Sequence, residues 1–224
     1  LVRVFERDGM KSTEYILGIH VVVPKNIAQQ VTCAREFFGL EYPGNYAGEP
    51  HITLYLAHVP KKNFNTLIRL FRAMRRAPVR VSLAPVQKKK AKHNRMFVYL
   101  PVKKTGRMFA LHKSIVRVAN QLRDGLIRHK DQIRLRSNYY TKKERDYIMS
   151  HGYARVLDNF SPHITLGNIR AAELEKSKKE IQKRLRPLRG ASFVADAIEI
   201  GLYKYDIKKK AYTDARIKEI SLHV

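Results

Sequence analysis

Pro50-His51-Ile52-Thr53-Leu54 is repeated without change as Pro162-His163-Ile164-Thr165-Leu166, half a chain length later in a sequence of 224 residues. An identical five-residue repeat at this interval indicates two related halves, each of which contributes one His and one Thr to a shared site. Because the chain has only nine His, two His-x-Thr copies with the same flanking residues are hard to obtain by chance. The repeat therefore predicts both the architecture and the functional site.

Both copies lie in apolar, β-branched stretches that are typical of β-strands. In a strand, side chains at positions i and i+2 leave the same face, and the residues between them leave the other. His51 and Thr53 are therefore expected to point together, with the intervening apolar residues in a core. The same division is expected for His163 and Thr165.

Two imidazoles and two hydroxyls suit the chemistry of a phosphodiester. Imidazole titrates near neutral pH, so one neutral His can accept a proton while a second, charged His donates one to a leaving oxygen. The Thr hydroxyls can donate hydrogen bonds to the non-bridging oxygens of the same phosphate. This mechanism requires no metal ion and no other cofactor.

With these motifs the sequence resembles the two-histidine (2H) phosphoesterase superfamily, whose signature is two His-x-Thr/Ser motifs on strands of two related lobes. The terminal run from Ser192 to Leu222 is similar to the last strands of its 2′-5′ RNA ligase and RNA 2′,3′-cyclic phosphodiesterase branch. The resemblance implies the catalytic set His51, Thr53, His163 and Thr165. It also implies that His163 is the base and His51 the acid in cyclic-phosphate hydrolysis, although an approximately symmetric site can exchange these roles.

The periodicity of apolar residues predicts an α/β (α+β) fold in which antiparallel sheets carry outer helices. We expect one bilobal domain over residues 1–224 with pseudo-two-fold related lobes that meet near residues 105–130, and a central cleft that carries both motifs. Lys88 to Lys92 are expected to form a basic loop between two strands. Arg134 to Leu157 is the least regular stretch and is expected to cover the cleft.

Four further residues are predicted to contact the substrate. Tyr153 and Arg155 lead directly into the second motif, Tyr46 holds a similar place before the first, and Tyr55 follows the first on the same strand face. Tyrosines next to Arg and Lys suit base stacking combined with phosphate binding. The alternative, that these rings only pack on the domain, is equally compatible with the sequence. His20 could border the cleft, but a structural role is favoured.

The composition indicates a polyanionic partner. The chain has 45 Lys and Arg against 19 Asp and Glu, which gives a formal net charge of +26 and a pI near 10.3. Such an excess favours RNA through long-range attraction and phosphate neutralisation. A membrane is not expected, because no segment approaches the roughly 20 apolar residues of a spanning helix.

The sequence thus predicts a metal-independent phosphodiesterase that acts on RNA ends, by hydrolysis of a 2′,3′-cyclic phosphate or by the related 2′-5′ ligation. Two alternatives stay open: an RNA 3′-end exonuclease of the same superfamily, and a catalytically silent RNA-binding scaffold in a ribonucleoprotein. Another phosphodiester-containing nucleotide could replace RNA. We expect an intracellular monomer that is cytoplasmic, or organellar (for example mitochondrial) if a targeting segment preceded Leu1.

Overall fold

A computed structural model of the chain describes residues 13–39, 49–91, 94–206 and 211–222, and of residues 36–39, 204–206 and 211–217 it describes only the backbone. The strands are β1 (Glu14–Val22), β2 (His51–Pro60), β3 (Val79–Ser82), β4 (Gln87–Ala91), β5 (Arg95–Pro101), β6 (His163–Arg170), β7 (Ser192–Ala195), β8 (Ala197–Asp206) and β9 (Ala211–Ser221). The helices are α1 (Lys25–Gly39), α2 (Lys61–Ala73), α3 (Gly106–Gln121), α4 (His129–Leu135), α5 (Lys142–His151), α6 (Ala171–Lys176) and α7 (Lys178–Leu185), with 3-10 turns at Leu157–Asn159 and Arg186–Leu188.

The strands form three sheets, and every pairing in the described residues is antiparallel. One sheet has the order β2-β1-β8-β9, a second has the order β4-β5-β6, and β3 pairs with β7. Helices α1, α2 and α3 pack against these sheets. The sequence therefore predicted the correct class of fold, a mixed α/β chain with antiparallel sheets and outer helices.

The two motif strands lie at the ends of two different sheets, and they contact each other. Strand β2 pairs with β1, and strand β6 pairs with β5. Their apolar residues Ile52, Leu54 and Ile164 are fully buried, as the alternation predicts. Contacts between β2 and β6, and between α1 and β6, then join the two halves of the chain at the two motifs.

A buried histidine of α3 ties the first motif strand to the segment that leads into the second motif. His112 has no exposed surface, and its Nδ1 lies 2.8 Å from the backbone oxygen of Leu54. A carbonyl only accepts, so Nδ1 carries the proton, and Nε2 accepts the backbone N–H of Leu157 at 2.9 Å. Its ring also stacks on Phe160, with centroids 3.9 Å apart. His112 is therefore neutral and fully hydrogen-bonded.

We predict that stability falls on mild acidification because of this histidine. Burial lowers the pKa of His112 from its ordinary value of 6.5 to about 4. Since the unfolded chain then binds more protons than the folded chain, His112 contributes fully above pH 6.5, and this contribution is lost as the pH falls from 6.5 towards 4. The expected loss in the free energy of unfolding between pH 6.5 and 5 is about 2 kcal/mol from His112 alone.

Urea unfolding at pH 7.5, 6.5 and 5 measures this loss. The His112→Gln variant should show a shallower pH dependence than the wild type. Equal free energies of unfolding at pH 7.5 and 5 would contradict the assignment of His112 as a neutral buried group.

Two predictions about irregular segments are wrong. Gln87–Ala91 is not a loop but strand β4, which pairs with β5 and has every side chain exposed. Lysines on an exposed end strand discourage pairing with other chains, so charge and strand are compatible here. The stretch after Arg134 contains helix α5, which Thr141 and Glu144 start with a capping box and Gly152 ends at a φ of 68°.

Among the described helices, none has the length and apolar character needed to cross a bilayer.

Candidate active site

The two motif histidines have the same local hydrogen bond. Nδ1 of His51 lies 3.0 Å from the carbonyl oxygen of Glu49, and Nδ1 of His163 lies 2.8 Å from the carbonyl oxygen of Ser161, each two residues earlier in the chain. Because a carbonyl can only accept, both rings carry their proton on Nδ1 and leave Nε2 as the basic nitrogen. The repeat in sequence is thus also a repeat in ring orientation and tautomer.

We call the surroundings of His51 the first half-site and the surroundings of His163 the second half-site. The first half-site is the more buried of the two. His51 is 8% exposed, and its ring stacks on the ring of His20 with centroids 3.9 Å apart and an interplanar angle of 13°. Burial, together with the neighbouring His20 and Arg35, lowers the pKa of His51 to about 3, against the opposing effects of the Glu49 carbonyl and the Glu199 carboxylate. In the ligand-free protein, His51 is therefore neutral near pH 7.

His163 lies in a half-buried, aromatic half-site. The rings of Phe97 and Tyr99 lie 5.7 and 5.3 Å from its ring, and they stack on each other at 5.3 Å. Burial lowers the pKa of His163, and the positive charge of Arg155 lowers it further, against the opposing hydrogen bond to Ser161. His163 is thus also held in its neutral form.

Arg35 of helix α1 connects the two half-sites. Its side chain is 9% exposed, and its Nε donates to the backbone oxygen of Thr165 at 2.9 Å. Its charge also acts on His51. The sequence analysis missed this residue, although an Arg in register with the buried Val31 and Ala34 on the apolar stripe of α1 is a signal for a buried cation with a partner.

A cavity of about 380 Å³ lies beside His163. One wall is formed by β5, and the other by the start of α5 and the segment that leads to the second motif. Three cationic side chains contribute to its lining, from Lys89, Lys143 and Arg155. His51 does not line this cavity, which therefore extends from the His163 side of the site. An aromatic wall with a cationic rim suits a base and its phosphates.

The four residues that the sequence predicts as substrate contacts lie in different environments. Arg155 is exposed and lines the cavity, as expected for such a contact. Tyr55 is fully buried and donates its hydroxyl to the His151 backbone oxygen, so the proposed site does not include it. Tyr153 is half-buried, lies edge-on to Tyr55 at 6.2 Å and has a packing role on this geometry. Tyr46 lies outside the described residues.

Of the two motif threonines, Thr53 pairs across the sheet with His20, and Thr165 pairs with Tyr99. Both are half-buried.

Within the part of the chain that the structure describes, no three His, Cys, Asp or Glu side chains are grouped closely enough to hold a metal ion.

The sequence of the chain matches the profile of one known family. The profile of a family described as "Protein of unknown function (DUF1045)" matches residues 56–205, which include the second half of β2 and the whole second motif but not the first motif. The chain belongs to the DUF1045 family. A search of curated proteins found no match to this DUF1045 member.

Solved structures show which fold this DUF1045 member has. E. coli LigT in complex with NADP+ is 13% identical with a TM-score of 0.56, and the match covers 95% of this chain and 100% of LigT. E. coli LigT with 3′-AMP is 15% identical with a TM-score of 0.55, covering 94% and 99%. TT0787 of Thermus thermophilus is 12% identical with a TM-score of 0.56, covering 92% and 97%. The predicted resemblance to the 2H phosphoesterases is confirmed at the level of the fold.

Proposed function

We propose that the protein is a phosphodiesterase that hydrolyses 2′,3′-cyclic phosphates at RNA ends, with His51 and His163 as the catalytic acid and base. One observation carries this proposal. Both motif histidines present an unprotonated Nε2 from the same strand position, and Arg35 links the two half-sites through its bond to Thr165 and its charge on His51. Two basic nitrogens and a cation beside contacting strands suit a phosphate group.

The proposed reaction needs one proton acceptor and one proton donor. The base takes a proton from water as the water oxygen forms a bond to phosphorus, and the bond from phosphorus to one ribose oxygen breaks. The acid gives its proton to that ribose oxygen, which leaves a phosphomonoester and a free hydroxyl. Thr53 and Thr165 would donate hydrogen bonds to the non-bridging oxygens.

We assign His163 as the base and His51 as the acid, as the resemblance to the 2H phosphoesterases implies. Arg155 favours the neutral form of His163, as a base requires, and no carboxylate in the described part of the chain shifts the pKa of His163. His51 has the Glu199 carboxylate, which favours its charged form. Of the charges that act on His51, that of Arg35 disfavours the imidazolium form. Because burial keeps His51 neutral without ligand, we propose that the phosphate anion supplies the remaining stabilisation and that His51 takes up its proton together with the substrate.

RNA is the proposed substrate because of the chemistry of the cavity and the charge of the chain. Phe97 and Tyr99 offer stacking surfaces next to His163, and cationic side chains line the same cavity. The net charge of +26 attracts a polyanion. LigT, which shares the fold, binds 3′-AMP and NADP+ in its solved structures, and this supports a nucleotide-containing substrate here.

The test is incubation of the purified protein with an RNA oligonucleotide that ends in a 2′,3′-cyclic phosphate, in the presence of a chelator. We expect conversion to a phosphomonoester without shortening of the RNA, measured by ³¹P NMR and by gel mobility. Shortened RNA would indicate an exonuclease instead. Tight, salt-sensitive binding without turnover would indicate an RNA-binding scaffold and would reject the enzyme.

A further inference from the structure

Behind His51, in the four-stranded sheet β2-β1-β8-β9, lies a buried polar cluster of which the proposed reaction uses only the charge of Glu199. His20 has no exposed surface and stacks on His51. Its Nδ1 lies 3.4 Å from Oε1 of Glu199, which is 6% exposed, and its Nε2 lies 3.0 Å from the hydroxyl of Tyr203. Strands β1 and β8 thus place three polar side chains directly behind a motif histidine.

The hydrogen bonds of this cluster fix the state of His20. A carboxylate accepts, so Nδ1 of His20 carries the proton, and Nε2 accepts the Tyr203 hydroxyl. Burial lowers the pKa of His20 to about 3, so the ring is neutral near pH 7. Since buried polar groups destabilise a core unless they are paired, this arrangement in the middle of a sheet points to a role beyond packing.

Resting on the proposed function, we infer that His20, Glu199 and Tyr203 form a positioning unit for His51. The flat, neutral ring of His20 holds the His51 ring in one orientation by stacking, and Tyr203 and Glu199 hold His20 from both ends. The Glu199 carboxylate also supplies negative charge behind the ring pair, which favours the imidazolium form that His51 needs as the acid. His20 is thus a positioning residue and does not touch the substrate.

The side chains that shift the pKa of His51 lie on three elements. His20 faces it from β1, Glu199 acts on it from β8, where Tyr203 also lies, and Arg35 acts on it from α1. Arg35 disfavours the charged ring, and Glu199 favours it. Among the described residues, Glu199 is the only carboxylate that shifts the pKa of His51, so its charge is the one to remove in a test.

The experiment compares the pH profiles of kcat for the wild type and the Glu199→Gln variant on the cyclic-phosphate RNA. The alkaline limb of such a profile reports the acid in the enzyme–substrate complex. Loss of the Glu199 charge should move this limb to lower pH by about half a unit, with the acidic limb unchanged.

The matched control is Glu219→Gln. Glu219 lies directly opposite Glu199 on β9, one strand further from His51, and is exposed, so the same change in net charge is screened by solvent. A shift in Glu199→Gln alone supports the inference. Superimposable profiles for the wild type and Glu199→Gln, or equal shifts in both variants, overturn it.

A measurement on the wild type keeps the test independent of the folding of the variant and of the proposed function. The ¹⁵N resonances of the His20 ring should show a protonated Nδ1 and an unprotonated Nε2 from pH 6 to 8. A proton on Nε2, or a charged ring in this range, overturns the positioning unit. Wild-type protein without turnover but with the expected His20 tautomer would reject the proposed phosphodiesterase and leave the arrangement of the unit established.

Discussion

Replacement of His51 or of His163 by Ala is expected to lower the rate of the chemical step on cyclic-phosphate RNA by about 10² to 10⁴. Each variant removes one basic Nε2 that its hydrogen bond to Glu49 or Ser161 holds in place. In the proposed mechanism, the first variant lacks the proton donor to the departing ribose oxygen, and the second lacks the acceptor for the proton of water. Single-turnover rates with saturating protein measure the loss without interference from product release.

Because the two histidines act as one unit, the double variant should be little slower than either single variant. The control is the Ala variant of His129, which is exposed at the start of α4 and should retain wild-type activity. A loss below tenfold in both motif variants, with folding intact by circular dichroism, would reject paired-histidine catalysis.

Replacement of Gly18 by Ala is expected to lower both stability and activity. A Cβ at this position would lie 2.6 Å from Cε1 of His20 and closer still to Nε2 of His20 and to the ring of Tyr203. Since both rings are held from other strands, they can move only by disturbing the stack on His51. We expect a loss of about 2 to 3 kcal/mol in the free energy of unfolding and a fall of about tenfold or more in kcat.

Gly106→Ala is the matched control, because a Cβ at the start of α3 would meet no atom within 4 Å. It should be neutral or stabilise the protein by up to about 1 kcal/mol. Urea unfolding and kcat measure both variants. Wild-type stability in Gly18→Ala would show that the space between the His20 and Tyr203 rings is not as tight as this structure has it.

Elements that depend on local pattern were predictable from the sequence. The alternation of apolar residues before Pro24 is typical of a strand, the spacing of Phe64, Leu67 and Phe71 is typical of an amphipathic helix, and the structure has β1 and α2 at these places. Helix α3 begins after Thr105, whose hydroxyl accepts the Met108 N–H. These features depend on contacts between near neighbours in the chain. A three-lysine strand runs against such rules, because β4 forms through its backbone pairing with β5 and not through an apolar pattern of its own.

The site was predictable only in part, because its remaining groups meet through the pairing of strands distant in sequence. The stack of His20 on His51 follows from the register of β1 on β2, which has an irregularity between Ile19 and His20. Phe97 reaches the cavity through the pairing of β5 with β6. Arg35 acts across 130 positions of the chain. No local pattern encodes such distances.

The Nε of Arg35 donates its hydrogen bond to the main-chain oxygen at position 165. This hydrogen bond between helix α1 and strand β6 therefore does not depend on which side chain is present at position 165. Replacement of the Thr165 hydroxyl by another group should therefore keep the hydrogen bond from Arg35. The contribution of that one hydroxyl to turnover can then be measured without loss of the contact between α1 and β6.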